Sequence, residues 1–267
     1  MAGNTKELRL RIKSVNSTLQ LTKAMELVAS SKIRRANETM LKGREYRKAL
    51  EGIIAPLTSN KESLKSPYMR QSNGDKMRLI VIAGDRGLAG GYNSNVFKLC
   101  SAYPDAEIIA IGRRACDRFK KPFISSEHFS FADASALAKQ LCEDFKEEKF
   151  DKLGVIYTRY ISVMSSKAEF YQLLPFEKAE KNSNVGTVFE PDELTVLNNT
   201  AIEYVAGVLT TLVRESFACE VSARRIAMNS AGKNAEQMID DLSLQYNRAR
   251  QSAITGEITE IVAGSGN

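Results

Sequence analysis

Apolar and small side chains alternate at intervals of four and three residues over residues 1–55. The repeat comprises Leu8, Ile12, Val15, Leu19, Thr22, Ala29, Ile33, Ala36 and Met40, with Glu26 as its one charged member. This spacing predicts a long helix that packs lengthwise against a second helix. Because no proline precedes Pro56, we expect the helix to continue to that residue and end there.

A second repeat of this kind occupies the chain after Pro191, the last proline. Asp192 is a suitable N-cap for a helix that continues to Val262. Its inward positions are Met228, Ala231, Ala235, Met238, Leu242 and Ala249. We expect the two terminal helices to form a long antiparallel coiled coil, in which the C-terminal helix is longer by about twenty residues and projects beyond its partner.

Strand-like and helix-like segments alternate between the two long helices. The predicted strands are Met77–Ala83, Glu107–Ile111, Leu153–Thr158 and Ala168–Leu174, and the predicted helices are 113–121 and 135–148. This alternation is typical of the α/β class and predicts a central three-layer, Rossmann-like α/β domain. The predicted boundaries are 1–57 and 192–267 for the two coiled-coil helices, 58–76 for a polar linker, 77–176 for the α/β domain and 177–191 for a loop.

Charge differs between the two ends of the chain. Residues 1–50 contain twelve lysines and arginines against four glutamates, whereas residues 192–267 contain six basic and ten acidic residues. A basic helix beside an acidic one indicates that the two pair, or that the basic helix meets an acidic partner. A basic coiled coil that binds nucleic acid stays open as an alternative, although Tyr46 is the only aromatic residue of the basic segment that could stack on bases.

The stretch GDRGLAGGYN follows the first predicted strand and suggests a nucleotide site. Its glycines do not match G-x-G-x-x-G, and no Lys-Ser/Thr pair ends it as in a P-loop. The carboxylate of Asp85 would also repel a phosphate. We therefore predict a structural turn held by hydrogen bonds, formed by Gly84, Asp85, Arg86, Gly87, Gly90, Gly91 and Asn93.

Residue types with catalytic or metal-binding chemistry are scattered along the chain. Cys100, Cys116, Cys142 and Cys219 form no C-x-x-C pair, which favours buried thiols over a disulfide framework or a zinc site. His128 is the only histidine, and its neighbours do not suggest a nucleophile–histidine arrangement. We expect no catalytic residue, no metal, no cofactor and no directly bound nucleotide. No apolar run reaches the roughly 18 residues of a membrane span.

An apolar face near the end of the second long helix has no evident partner within the chain. Ile254, Ile258, Ile261 and Val262 share one side of that helix, beyond the expected reach of the first helix. Gly256 lies in the same turns and costs about 1 kcal/mol of helix stability relative to alanine. An exposed apolar helix end is typical of an interaction site.

Three separated stretches together resemble the gamma subunit of rotary ATP synthases. They are LTKAMELVASSK at 21–32, GDRGLAGGYN at 84–93 and SAITGEITEIVAGS at 252–265, in the order that is typical of that family. The resemblance extends over the whole chain. It implies a non-catalytic central rotor shaft that couples ion flow through a membrane c-ring to ATP synthesis or hydrolysis on the beta subunits.

The resemblance also implies partners and contact residues. The partners would be the alpha and beta subunits of the catalytic ring, the epsilon subunit and the membrane c-ring. Contacts to the alpha and beta subunits would come from Lys23, Met25, Arg250, Gln251, Thr255 and Glu257. The apolar bearing tip would comprise Ile254, Ile258, Ile261 and Val262, and the c-ring side would comprise Phe189, Glu190 and Pro191.

The setting implied by the resemblance is bacterial. The first residues, MAGNTKELRLR, do not suggest a signal or transit peptide. We therefore expect a peripheral protein at the cytoplasmic face of the bacterial plasma membrane, associated with the membrane through its complex. The cysteine-bearing insertion of chloroplast relatives is missing from the sequence, so we expect no thiol switch.

Overall fold

The computed structural model describes residues 2–70, 74–179 and 189–264. The chain divides into two compact units, to both of which the two long helices contribute. The terminal unit comprises Met1–Ser30 and Arg224–Asn267, and the central unit comprises Ser31–Ala223.

The elements follow one another as the sequence predicts, with one addition. In chain order they are helix α1 (Ala2–Ser59), two 3-10 turns (Glu62–Lys65 and Pro67–Met69), strand β1 (Met77–Ile82), helix α2 (Tyr92–Cys100), strand β2 (Glu107–Ile111), helix α3 (Arg113–Phe119), helix α4 (Phe131–Lys146), strands β3 (Lys152–Ser162) and β4 (Ser165–Leu174), and helix α5 (Glu193–Gly264). Helix α2 is the addition. It is nine residues long and begins without a capping side chain, so the sequence contains no start signal for it.

The ends of the two long helices show where local signals succeed and fail. The predicted stop at Pro56 is wrong, because α1 passes through this residue and ends at Ser59. Proline lacks an N–H donor and crowds the carbonyl group four residues earlier, but the fully buried Leu57 holds the last turn on the core. Asp192 caps α5 as predicted, since its carboxylate accepts the N–H of Thr195 at 2.9 Å and the hydroxyl of Thr195 at 2.8 Å.

The central unit contains a four-stranded sheet in the order β2-β1-β3-β4. β1 pairs in parallel with both β2 and β3, and β4 pairs antiparallel with β3. Alternate residues of β1 face opposite sides: Leu79 and Val81 join the cluster that includes α2 and α3, whereas Ile80 and Ile82 join the cluster that includes α4, α1 and α5. The sheet thus lies between two helical layers, which confirms the predicted three-layer α/β fold.

Segment 58–76, predicted as a polar linker, also contributes to this core. Tyr68 is fully buried, and its ring stacks on that of Phe145 with the centroids 6.4 Å apart. The predicted domain boundaries as a set stay predictions.

Within α5, one window is long and apolar enough to span a membrane, contrary to the expectation from the sequence, but 67% of that window is buried inside the protein. Packing in the core therefore accounts for its apolar character.

In the central unit, α1 and α5 pack closely. A Cβ on Gly207 of α5 would lie 2.5 Å from Leu50 Cδ1 of α1, so a larger residue there would require the Leu50 side chain to move. Glu215 of α5 is buried and binds two arginines of α1: its Oε1 accepts from Arg44 Nη2 at 2.6 Å, and its Oε2 lies 3.5 Å from Arg47 Nη1. This ion-pair cluster joins the two helices inside the unit.

The terminal unit is an antiparallel helix pair, as predicted. Lys23 Nζ lies 2.7 Å from Glu236 Oε1, and the side chain of Asn229 donates to Glu26 Oε1 at 2.9 Å. Numbers rise along α1 as they fall along α5, which defines the antiparallel direction. The one charged member of the predicted repeat, Glu26, therefore has a polar partner on the facing helix.

The predicted inward position of Met238 is wrong. Met238 is exposed, and its neighbour Ile239 is half-buried instead. Buried and half-buried residues of α5 continue from Ala235 to Ile239 to Leu242, an interval of four followed by one of three. Both orders of these intervals fit a heptad repeat, so the spacing alone does not decide between residues 238 and 239.

Candidate functional site

The glycine loop, residues 84–93, begins just after β1 at the carboxyl edge of the sheet. β1 has a parallel neighbour on each side, so the loop lies at a topological switch point. Open α/β sheets bind their ligands in the crevice at such a point. The groups that fill the crevice therefore decide what the loop can do.

The carboxylate of Asp85 fills this edge and accepts four hydrogen bonds. Its Oδ1 accepts the N–H of Arg113 at 3.0 Å and the N–H of Ser126 at 3.1 Å. Its Oδ2 accepts the N–H of Glu127 at 3.0 Å and the hydroxyl of Ser125 at 2.6 Å. Three of these donors are backbone N–H groups of the kind that hold phosphate in nucleotide-binding loops. Here the loop's own carboxylate engages them.

These hydrogen bonds also determine the charge of Asp85. Partial burial disfavours the carboxylate anion and raises its pKa, but the hydroxyl of Ser125 and the three backbone N–H groups favour the anion more strongly. The net effect lowers the pKa of Asp85 below its ordinary value. The side chain is therefore ionised at neutral pH and holds residues 125–127 by charge-assisted hydrogen bonds.

We expect the Asp85→Asn variant to lose about 2–3 kcal/mol of unfolding free energy at pH 7, because the charged acceptor is lost while its donors stay in place. Since the native pKa is lowered, the carboxylate stabilises the fold fully above its unfolded pKa, and this contribution is lost as the pH falls through the lower native value. Urea denaturation at a series of pH values should show the gap between wild type and variant closing below about pH 4.

Asp117→Asn is the matched control, because Asp117 is an exposed carboxylate on the neighbouring helix α3. This change is expected to leave the free energy of unfolding within about 0.5 kcal/mol of wild type. A gap for Asp85→Asn that stays constant at every pH would contradict the assignment of an ionised anchor.

The glycines of the loop permit close approach and unusual backbone geometry. A Cβ on Gly84 would lie 2.6 Å from Cδ of Glu220, a buried residue of α5. Gly90 has a φ of 55°, in the left-handed region that favours glycine. The side-chain oxygen of Asn93 accepts the N–H of Gly84 at 2.9 Å and closes the loop.

The other predicted members of the turn contribute less. Arg86 is exposed, with Nη2 at 3.6 Å from Glu127 Oε2. A Cβ on Gly87 would meet only the flexible end of Arg114, at 2.6 Å, and a Cβ on Gly91 would make ordinary contacts. The role of the seven residues as a structural turn stays a prediction, which the geometry of Gly84, Asp85 and Asn93 supports.

Sequence reasoning missed the residues on the other side of the loop. Gly112 directly follows β2, has a φ of 92°, and would place a Cβ 1.9 Å from the carbonyl oxygen of Ala83. Since parallel strands end at the same edge, a glycine directly after the second strand was the available signal. Ser125, Ser126 and Glu127 carry no such signal, because the fold alone brings them to Asp85.

The predicted contact residues that the structure describes lie on exposed surfaces of the terminal unit. The side chain of Lys23 is 58% exposed even though it is paired with Glu236. Met25 is 40% exposed. The described contact residues of α5 are also exposed: Arg250, Gln251 and Thr255. The side chain of Glu257 lies outside the described residues.

The residues predicted as the bearing tip present apolar surface to solvent. Ile254, Ile258 and Ile261 are 47%, 56% and 70% exposed, and the side chain of Val262 lies outside the described residues. Of the residues predicted for the c-ring side, Phe189 is half-buried against the core of the central unit, whereas Glu190 and Pro191 are exposed.

A second exposed apolar stripe, on α1, was largely missed from the sequence. Leu10, Leu21, Met25 and Val28 are exposed, and their spacing places them on one side of the helix. Only Met25 was predicted as a contact residue, because the inward repeat of α1 is the more regular of the two patterns in the sequence. The terminal unit thus carries apolar surface on both of its helices.

The cysteines have the predicted environment, since Cys100, Cys116, Cys142 and Cys219 are all free and buried. Among residues 2–70, 74–179 and 189–264, no group of three histidine, cysteine or acidic side chains could hold a metal ion. His128 is exposed.

Fold and surfaces together define a class of protein. Its α/β domain lies in sequence between two long helices that pair, and the helices have exposed apolar surfaces suited to partners. Comparison with known proteins identifies the family. A family model described as ATP synthase matches residues 4–266. The ATP synthase gamma chain of Ruminococcus albus is 40% identical over 284 residues, covering 99% of both chains. That of Alkaliphilus metalliredigens is 38% identical, again over 99% of both chains.

Solved structures show the same fold. The Euglena gracilis mitochondrial ATP synthase contains a chain with a TM-score of 0.67 at 18% identity, covering 99% of this chain and 94% of that one. The Tetrahymena thermophila central stalk and c-ring structure contains one with a TM-score of 0.62 at 21% identity, covering 79% of this chain and 99% of that one. This chain belongs to the ATP synthase gamma-chain family. The resemblance found in the sequence is confirmed.

Proposed function

We propose that this chain is the central rotor shaft of a rotary ATP synthase, coupling ion flow through a c-ring to ATP synthesis or hydrolysis. The full-length match to ATP synthase gamma chains is the observation that carries this function. The nucleic-acid alternative has no such support. One relative, from Acetobacterium woodii, is a gamma chain described as sodium ion specific, at 35% identity.

The shaft would act through the terminal unit. Its apolar tip, Ile254, Ile258 and Ile261, would turn against an apolar sleeve formed by the alpha and beta subunits. An apolar face offers such a sleeve no directional hydrogen bonds, so no single rotational position is strongly favoured over the next. Lys23, Met25, Arg250, Gln251, Thr255 and Glu257 would supply the contacts that change as the shaft turns.

Besides the alpha and beta subunits, the partners would be the c-ring and the epsilon subunit. Phe189, Glu190 and Pro191 would lie on the c-ring side, near the central unit. Ion flow would turn the ring and the shaft with it, and the two unlike helices of the shaft would present a different face to each beta subunit in turn. The complex would lie at the cytoplasmic face of a bacterial plasma membrane.

We propose further that the chain carries no catalytic site of its own. The backbone donors at the switch point of the sheet already bind Asp85, and the Gly84 turn is closed over Glu220. ATP would be made and hydrolysed on the beta subunits, and this chain would change the shape of their sites.

Purification of the tagged full-length chain from detergent-solubilised membranes tests this function. Stoichiometric recovery of alpha and beta subunits, with ATPase activity that depends on both, is the expected result. Recovery of the chain without alpha and beta subunits would overturn the rotor assignment. A gel-shift titration with duplex DNA of random sequence tests the nucleic-acid alternative. That alternative requires DNA binding that weakens steeply as salt is added.

A further inference from the structure

The proposed rotor function assigns no role to a cavity in the central unit. It has a volume of about 620 Å³ and lies between α1, residues 126–130 and α5. Cavities of this size in other proteins hold small molecules. Its walls combine basic side chains with the apolar rings of Phe129 and Phe217.

The cavity has an excess of positive charge. Lys32, Arg35 and Arg214 line it, with Glu127 as the one carboxylate. Lys32 Nζ lies 2.5 Å from Glu127 Oε1, so these two charges neutralise each other. Among the parts of the chain that the structure describes, the guanidinium groups of Arg35 and Arg214 form no ion pair. Both side chains are exposed to solvent, one on α1 and one on α5, so their positive charges are available to a ligand that enters the cavity.

Ser126, one of the residues that line the same cavity, has a buried hydroxyl group. Ser126 is 4% exposed, and its Oγ has no hydrogen-bond partner among the described residues. A buried polar atom without a partner costs free energy, which a hydrogen bond to a water molecule or a bound ion would recover. The serine hydroxyl can donate to an anion that the two arginines attract.

The wall that carries this hydroxyl is held in place before any ligand arrives. Asp85 accepts the N–H groups of Ser126 and Glu127 and the hydroxyl of Ser125, which fixes the course of residues 125–127. A fixed donor loses little conformational entropy on binding. Asp85 of the glycine loop thus holds in place one wall of the cavity, whose other walls come from α1 and α5.

We propose that this cavity binds a phosphate group through Arg35, Arg214 and the hydroxyl of Ser126. Guanidinium groups bind phosphate through paired N–H donors, and phosphate has enough acceptor oxygens to serve two arginines and a hydroxyl at once. The phosphate can come from inorganic phosphate or from a nucleoside phosphate, whose base would pack on Phe129 or Phe217.

Isothermal titration calorimetry of the full-length chain tests this inference without its partners, so the result does not depend on the rotor role. One arm titrates sodium phosphate and the other ADP, both at constant ionic strength set with sodium chloride. Saturable binding of phosphate that is at least as tight as that of ADP assigns the free ion, and tighter binding of ADP than of phosphate assigns the nucleoside phosphate. Absence of saturable binding for both probes at millimolar concentration overturns the proposal.

Variants distinguish specific binding by Arg35, Arg214 and Ser126 from attraction of anions by the net positive charge of the protein. Arg35→Ala and Arg214→Ala should each weaken binding at least about tenfold, and Ser126→Ala by roughly threefold to tenfold. Arg34→Ala is the matched control, because Arg34 lies next to Arg35 on α1 but pairs with Glu38 and is not among the residues that line the cavity. Its affinity should stay within about twofold of wild type.

Equal losses in Arg34→Ala and Arg35→Ala would show attraction by net charge and would overturn the site. Circular dichroism checks that each variant is folded. If Arg214→Ala fails to fold, Arg214→Lys replaces it, which keeps the charge but loses the paired N–H donors and should still weaken binding.

Discussion

The triple variant Ile254→Ser, Ile258→Ser, Ile261→Ser is expected to weaken association of the chain with its alpha and beta partners by roughly 100-fold. Each isoleucine is about half exposed or more in the isolated chain. Covering the rest of such a side chain contributes about 1 kcal/mol, so three together contribute about 3 kcal/mol. Reassembly of the purified chain with alpha and beta subunits, followed by ATPase activity against chain concentration, measures this loss.

Two further forms sharpen that experiment. Deletion of 252–267 should reduce torque or assembly at least as strongly as the triple variant and leave the α/β domain folded. The double variant Ser252→Ala, Thr259→Ala changes exposed polar residues of the same helix and should assemble normally. If the deletion supports full, coupled ATP-driven ion pumping and normal assembly, the tip is not a bearing.

The Glu215→Ala variant is expected to lose about 3–5 kcal/mol of unfolding free energy. Removal of the Glu215 carboxylate would leave Arg44 and Arg47 beside the core without their anion, and such uncompensated charge is strongly destabilising. The hydrogen bond from Arg44 to Glu215 raises the pKa of that guanidinium, because the neighbouring anion favours its charged form. The backbone N–H of Tyr160, which donates to Glu215 at 3.0 Å, would also lose its acceptor.

Urea denaturation followed by tyrosine fluorescence is suited to this measurement, since Tyr246 is the only tyrosine outside residues 31–223. Glu203→Ala removes an exposed glutamate from the same helix and should change stability by less than about 0.5 kcal/mol. A similarly small loss for Glu215→Ala would mean that the arginines find water or other partners, and the cluster would then not hold α1 to α5.

The parts of the fold that repeat with a period were predictable. The inward residues of α1 and the strand Glu107–Ile111 follow directly from spacing and β-branched composition. Failures came where a tertiary contact outweighs a local rule. Burial of Leu57 carries α1 past Pro56, and burial of Tyr68 draws an otherwise polar segment into the core.

The candidate site divides in the same way. Gly84, Asp85 and Asn93 could be identified as a turn, because glycine and short polar side chains have known roles there. Their partners could not, since residues 113 and 125–127 reach Asp85 only after the sheet has formed. The cavity beside Ser126 has no sequence signature at all, because its three binding groups come from three separate parts of the chain.

The antiparallel pairing in the terminal unit has a consequence for synthesis on the ribosome. The hydrogen bond between Glu26 and Asn229 joins residues 203 positions apart. At about 5–20 residues per second, the first helix waits roughly 10–40 s for its partner to be made. During that time the inward apolar repeat of α1 has no partner helix to cover it. Chaperone binding to the nascent N-terminal segment, released when α5 is complete, is the expected behaviour of a chain whose first and last helices pair.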